Sequence, residues 1–214
     1  MADAPVAVRR PWVQRSWKRL AAVAGVLGAL VFFAWSCMIS MPGSSFRGPL
    51  PPLSSARESL RDSLRRDVEV LAGQRNVTCE VSGLTAAARY LEQEFVKAGA
   101  AVKRIGYPAG GRTCDNLEVT VTGGEEIVVV GGHYDAVTGS PGANDNATGA
   151  AAVLALARAF AGTKPSRTLR FVGFVNEEPP HLQTPEMGSR VYAKRCRERG
   201  DKIVAMVSLE TMGC

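Results

Sequence analysis

Hydrophobic and polar positions change their rhythm three times along this chain. From Leu20 to Met41 the run LAAVAGVLGALVFFAWSCMISM carries no charge. Its 22 residues reach roughly 33 Å as a helix, enough to cross a bilayer core. Met41 to Arg57 is rich in Pro, Ser and Gly and predicts an extended linker. From Ser55 the spacing turns helical. Ser55 and Glu58 form a capping box, Leu60, Leu64, Val68 and Leu71 mark one face, and Gly73 is the stop. A second amphipathic helix is expected from about Thr85 to Ala98, through Ala87, Leu91 and Phe95, with Gly99 as its cap.

Beyond Gly99 the period becomes extended. Ala101–Tyr107 and Leu117–Thr122 alternate as strands, punctuated by Gly110-Gly111 and Gly123-Gly124. Ile127 to Val130 is a continuous β-branched run closed by Gly131-Gly132, the pattern of a buried, parallel strand. Ala147–Ala161, rich in small residues, predicts a helix packed closely on a sheet. Thr168–Val175 predicts a strand, and Glu186–Arg199 a helix with Thr184 as N-cap and Pro185 in the first turn. Ile203–Leu209 predicts a last buried strand. Strands alternating with helices predict a three-layer α/β/α sandwich around a mostly parallel mixed sheet, preceded by one transmembrane helix. The implied organisation is a basic tail over 1–19, a signal anchor over 20–41, a linker over 42–57 and a domain over 58–214.

Charge sharpens the picture at one end. The net charge is +6, but Arg9, Arg10, Arg15, Lys18 and Arg19 stand against Asp3 alone in the tail. The basic balance therefore belongs to the tail and carries no nucleic-acid reading. Basic residues ahead of the apolar run put the N-terminus in the cytoplasm and the domain outside, in the periplasm or extracellular space. A cleaved signal peptide and a lipoprotein site at Cys37 are the rival readings, the latter opposed by Trp35. Five cysteines do not make a disulfide-dense scaffold. Cys79 and Cys114 would both be exported, and pairing or two free thiols fit equally. Asn76-Val77-Thr78 and Asn146-Ala147-Thr148 match the glycosylation pattern; the second lies among candidate active-site residues and reads as coincidence.

The candidate chemistry sits at strand ends. His133 and Asp135 follow the first buried run, Asn176-Glu177-Glu178 follow the next, and Glu210 follows the last. Asp145 lies on a loop of Gly, Ser, Pro and Asn. Parallel neighbours finish on the same side of a sheet, so these groups are expected to converge. Crowded carboxylates repel unless a cation neutralises them, and one imidazole with carboxylate oxygens suits zinc or another divalent transition metal. Asp135 beside a ligating imidazole would fix its tautomer. One member of the Glu177-Glu178 pair would bind metal while the other moves a proton. His181, the only other histidine, reads as structural or substrate-lining.

GGHYD, GANDNATG, NEEPP with EMGS downstream, and SLETMG occur in this order. Together they resemble the two-zinc exopeptidase family of bacterial aminopeptidases, glutamate carboxypeptidases and glutaminyl cyclases. The resemblance spans about residues 60–214 and is sharp from Ile127 onward. It implies that His133 and Glu210 bind a first zinc, Asp145 bridges two zincs, and Glu178 binds the second. It implies that Glu177 is the general base, Asp135 orients His133, and the Asp145–Asn146 peptide is cis. It departs from the family in two places. Glu210 stands where many members have aspartate. The family's second zinc also takes a histidine from well beyond Cys214, so this chain is expected either to be the N-terminal part of a longer domain or to lack a full second site. The implied function is a membrane-anchored zinc aminopeptidase acting on peptides. A glutaminyl-cyclase-like reaction, or a truncated non-catalytic metal- or peptide-binding domain, are the alternatives.

Overall fold

The computed structural model describes residues 11–40, 43, 47–76 and 81–213, with backbone only for 11–16. The chain divides into two compact units, Met1–Pro51 and Pro52–Cys214. In the first, helix α1 runs from Pro11 to Ala34 and continues through a wider turn over Trp35–Ile39. Trp17–Ile39 is long and apolar enough to cross a membrane, and none of that stretch is buried. The helix starts ahead of the charge-free run because arginine and lysine are good helix formers.

The second unit opens with α2 (Ser55–Leu71). Its cap is Ser54, one residue before the expected box: the Ser54 hydroxyl accepts the Arg57 amide. The α2 face also differs from expectation. Leu60 is exposed, and Asp67 is buried beside Leu71. Asp67 tolerates burial because Arg158 and Tyr90 both donate to its carboxylate. Helix α3 (Val81–Lys97) buries Leu84, Ala87, Ala88, Leu91 and Phe95.

The sheet comprises β1 (Val102–Ala109), β2 (Arg112–Val121), β3 (Ile127–His133), β4 (Thr168–Phe174) and β5 (Ile203–Ser208), in the order β1-β2-β4-β3-β5. β3 is parallel to both β4 and β5, while β1/β2 and β2/β4 are antiparallel, so the sheet is mixed. Alternate residues feed two cores. Leu117, Val119 and Phe171 face α2, α3 and α4 (Gly149–Phe160). Ile105, Ile127, Val129, Val172 and Phe174 face Tyr192 and Cys196 of α5 (Gly188–Arg199). The three-layer α/β/α expectation is met.

Three element expectations need correction. β3 runs through Gly131-Gly132 to His133, because a Cβ on Gly131 would stand 2.4 Å from the Phe174 ring and only glycine lets the strands close there. Helix α5 begins at Gly188 rather than Glu186; the Thr184 hydroxyl accepts the Glu186 amide in the turn ahead of it. β5 is not buried: among the described residues it lies at the sheet edge, pairs only with β3, and leaves Val204, Met206 and Val207 nearly half exposed.

Candidate metal centre

The three parallel strands stop level with one another. His133 ends β3 opposite Phe174, the last residue of β4, and Gly131 lies opposite Ser208 at the end of β5. The side chains that follow therefore share one edge of the sheet. The loop 134–142 leaves β3, and Ala143–Thr148 returns into α4 with Asp145 and Asn146 off helical geometry. The Asp145–Asn146 peptide is cis, as the resemblance implies.

His133 is the hub. Its Nε2 lies 3.1 Å from Asp145 Oδ1, 3.3 Å from Glu210 Oε1 and 3.8 Å from Glu177 Oε2. Its Nδ1 lies 3.2 Å from the Asp135 carbonyl oxygen and 3.5 Å from the Asp135 carboxylate. A proton on Nδ1 directed at Asp135 leaves the Nε2 lone pair facing the carboxylates. Two donor groups converge here, His133 with Asp145 and Glu210, and His133 with Glu177 and Glu178. Every predicted metal or base residue thus falls within one cluster.

Asp135 does more than the sequence suggests. It is fully buried, and its carboxylate accepts the Glu177 and Glu178 amides at 3.2 and 3.0 Å. It holds the Glu177-Glu178 turn as well as facing the imidazole, and its main-chain oxygen is the closer contact to Nδ1.

Charge in the cluster is unbalanced. Burial, with neighbouring carboxylates, pushes the Glu177, Glu178 and Glu210 carboxyls up. Burial works against charge on His133, but Asp135, Glu210 and Glu177 outweigh it and hold the imidazole pKa up at about 9. A divalent cation among these oxygens relieves the repulsion, and the imidazole-plus-carboxylate set matches zinc. The residues fit the ion.

A cleft of about 500 Å³ opens beside the cluster, with His133, Glu177 and Glu210 at one end and Val129, Met187 and Met206 along its walls. His181 stands apart from both donor groups. Its Nδ1 lies 3.0 Å from Glu186 Oε2, and its ring backs onto Gly110. Asn146 is fully buried, donates to the Leu209 carbonyl and accepts the Gly149 amide, so it is no acceptor for a glycan. The other glycosylation pattern includes Val77 and Thr78, and the Cys79–Cys114 pairing includes Cys79; these lie outside the described residues.

Two supporting residues escaped the sequence reading. Asn176 sits at φ 62°, fully buried, with its amide nitrogen on the Tyr107 hydroxyl and the Glu186 carbonyl. It sets the turn into Glu177 at a backbone angle that asparagine accepts better than most residues. Arg75 is buried under the loop 134–142. Asn176 opens the NEEPP motif but nothing in the sequence gives its structural role, and Arg75, an arginine after a helix stop, has no sequence signal.

Residues 116–214 match Peptidase family M28, which bears out the resemblance to the zinc exopeptidases. A protein of Escherichia coli, YfbL, is 33% identical over 142 residues, covering 62% of this chain and 43% of its own length. A probable zinc metalloprotease of Pyrenophora tritici-repentis is 32% identical over 130 residues, covering 56% of this chain and 28% of its own. The fold is similar to that of a Macrostomum lignano glutaminyl cyclase, with TM-score 0.61 and 23% identity over 79% of this chain and 60% of that one. It is also similar to a leucine aminopeptidase precursor from Bacteroides thetaiotaomicron, with TM-score 0.59 and 17% identity over 77% and 64%. The chain thus spans less than half the length of the two curated relatives named here.

Proposed function

We propose, from the M28 match of residues 116–214, that this domain is the zinc-binding part of an exopeptidase, an aminopeptidase in its choice of bond. The observation that carries the reading is the convergence of His133, Asp145, Glu177, Glu178 and Glu210 at the ends of three adjacent parallel strands. His133, Asp145 and Glu210 would hold one zinc, with Asp145 bridging to a second ion that Glu178 would bind. Zinc, when bound, supplies Lewis acidity toward water and the scissile carbonyl. Glu177, lining the cleft with a raised pKa, takes the proton of the attacking water and passes it to the leaving amine as the C–N bond breaks. Asp135 keeps Glu177 and Glu178 in place through their amides. The His133 imidazole keeps its Nε2 turned toward the oxygens.

The test uses the complete protein as its own cells make it. Glu177→Gln is expected to abolish peptide hydrolysis while zinc affinity survives. Substantial residual turnover would remove Glu177 as the base. An N-terminal glutamine peptide separates the reactions: release of the free amino acid supports the aminopeptidase, and a cyclised N-terminus overturns it in favour of aminoacyl cyclisation.

We infer further that the apolar stretch within Trp17–Ile39 anchors the domain as a single span, with residues 1–19 cytoplasmic and 42–57 as linker. Protease added to intact cells should degrade the domain; protection from it would reverse the assigned orientation.

A further inference from the structure

A buried guanidinium is costly unless its donors find partners, and Arg75 makes four hydrogen bonds among the described residues in an unusual way. It is 2% exposed and makes no carboxylate hydrogen bond among the described residues. All its hydrogen-bond partners among the described residues are main-chain oxygens. Nε donates to Tyr134 at 2.7 Å, Nη1 to Pro141 at 2.8 Å and Gly73 at 3.2 Å, and Nη2 to Gly142 at 2.7 Å. Tyr134 starts the loop that leaves β3, and Pro141-Gly142 ends it. The segment carrying Arg75 is tied to the same loop through its backbone, with Gly73 N–H on the Pro141 oxygen and Ala136 N–H on the Arg75 oxygen. The Gly142 oxygen also accepts the Ala147 amide, so the last carbonyl that Arg75 grips is bonded across the Asp145 turn. Gly142 has no room for a side chain: its φ is +57°, and a Cβ would stand 2.9 Å from Arg75 Nη2. The loop and the guanidinium are shaped to each other.

We propose that Arg75 is a positioning residue of the metal centre: by gripping both ends of the loop 134–142 it sets where Asp145 stands relative to His133. The proposal rests on the zinc reading above. Its sign distinguishes it from simple electrostatics. Burial works against the Arg75 charge and pulls its pKa down, while the Asp135, Asp145 and Glu178 charges offset this in part, so the cation is felt by the donor cluster. Coulomb's law alone says that deleting a positive charge near a cation site tightens metal binding. Positioning says the opposite, because a slack loop no longer presents Asp145 beside Nε2.

The experiment compares Arg75→Met and Arg75→Lys with the parent, in the complete protein. Zn²⁺ affinity is read by chelator competition, the Co²⁺ site by visible absorption, and folding by thermal melting with chelator present. Both variants are expected to melt cooperatively. Arg75→Met should weaken Zn²⁺ by roughly tenfold to a hundredfold, the range for supporting residues of metal sites, and alter the Co²⁺ spectrum. Arg75→Lys keeps the charge but not the fork, so it should weaken Zn²⁺ less. Unchanged or tighter binding in Arg75→Met overturns the proposal. If Arg75→Met does not fold, unchanged affinity in Arg75→Lys overturns it equally. Loss of the cooperative melt in both makes Arg75 a general fold residue and also overturns it. A parent protein that binds neither ion removes the zinc reading itself, a result separate from any difference among the variants.

Discussion

Asp135→Asn isolates the support beneath the two glutamates. The Asp135 carboxylate accepts two buried amides, one with each oxygen. Asparagine can accept only one, and its amide group then meets the other N–H donor to donor. The loss is one hydrogen bond to a charged acceptor, about 1.5–3 kcal/mol, with a buried amide left unpaired. We expect a stability loss of about 2–4 kcal/mol. The folded unit covers Pro52–Cys214, and a domain of that size loses roughly 2–4 °C in Tm per kcal/mol. The expected fall in Tm is therefore about 5–15 °C. Scanning calorimetry with chelator present reads this term without metal. The same variant should weaken zinc by roughly tenfold or more, because the Glu177-Glu178 turn loosens. A Tm within about 2 °C of the parent together with unchanged zinc affinity would refute the argument.

Two further predictions address charge. In metal-free protein the raised carboxyls of Glu177, Glu178 and Glu210 hold protons more tightly folded than unfolded, so stability falls as pH climbs from the ordinary carboxyl range toward their folded pKa values. The raised imidazole of His133 stabilises fully below about 6.5, its ordinary value, and this contribution is lost as pH rises through about 9. Melting of chelated protein should therefore drop steadily from pH 5 to pH 9, and a flat profile would contradict the crowding of acidic groups. Away from the site, Arg158 pairs with Asp67 at 2.5 Å and with Glu94 at 2.6 Å, and Asp67 is almost wholly buried. Arg158→Met should cost about 3–5 kcal/mol by stranding Asp67. Chemical denaturation measures it, and a loss below about 1 kcal/mol would mean that Tyr90 suffices as partner.

Periodicity carried most of the fold. Every predicted element of the domain is present, with ends shifted by a few residues, because two-residue and helical repeats mark which side chains meet the core. The convergence of the candidate site residues was readable for a related reason: His133, Glu177-Glu178 and Glu210 each follow an apolar run. What escaped is what depends on packing at a distance. Nothing local says that Asp67 on a helix face is buried, since the answer lies in Arg158 on α4. Nothing local says that β5 is an edge, since its residues are as apolar as those of β3. Arg75 is hidden most completely, because its partners among the described residues are main-chain oxygens, which any sequence would supply.

The candidate donors come from four separate stretches, and the last of them, Glu210, follows β5. Asn146 binds the Leu209 carbonyl, and the Leu209 amide binds Gly131, so the loop bearing Asp145 and the turn bearing Glu210 are pinned to each other only after β5 has docked on β3. The His133, Asp145 and Glu210 donor set is therefore expected to form only once β5 has docked. A nascent domain emerging from its N-terminus carries His133 and Asp145 well before Glu210 exists, and holds no complete pocket for an ion to fill prematurely. Zinc capture at this set, as proposed above, would then act as a timestamp that records the docking of β5 on β3.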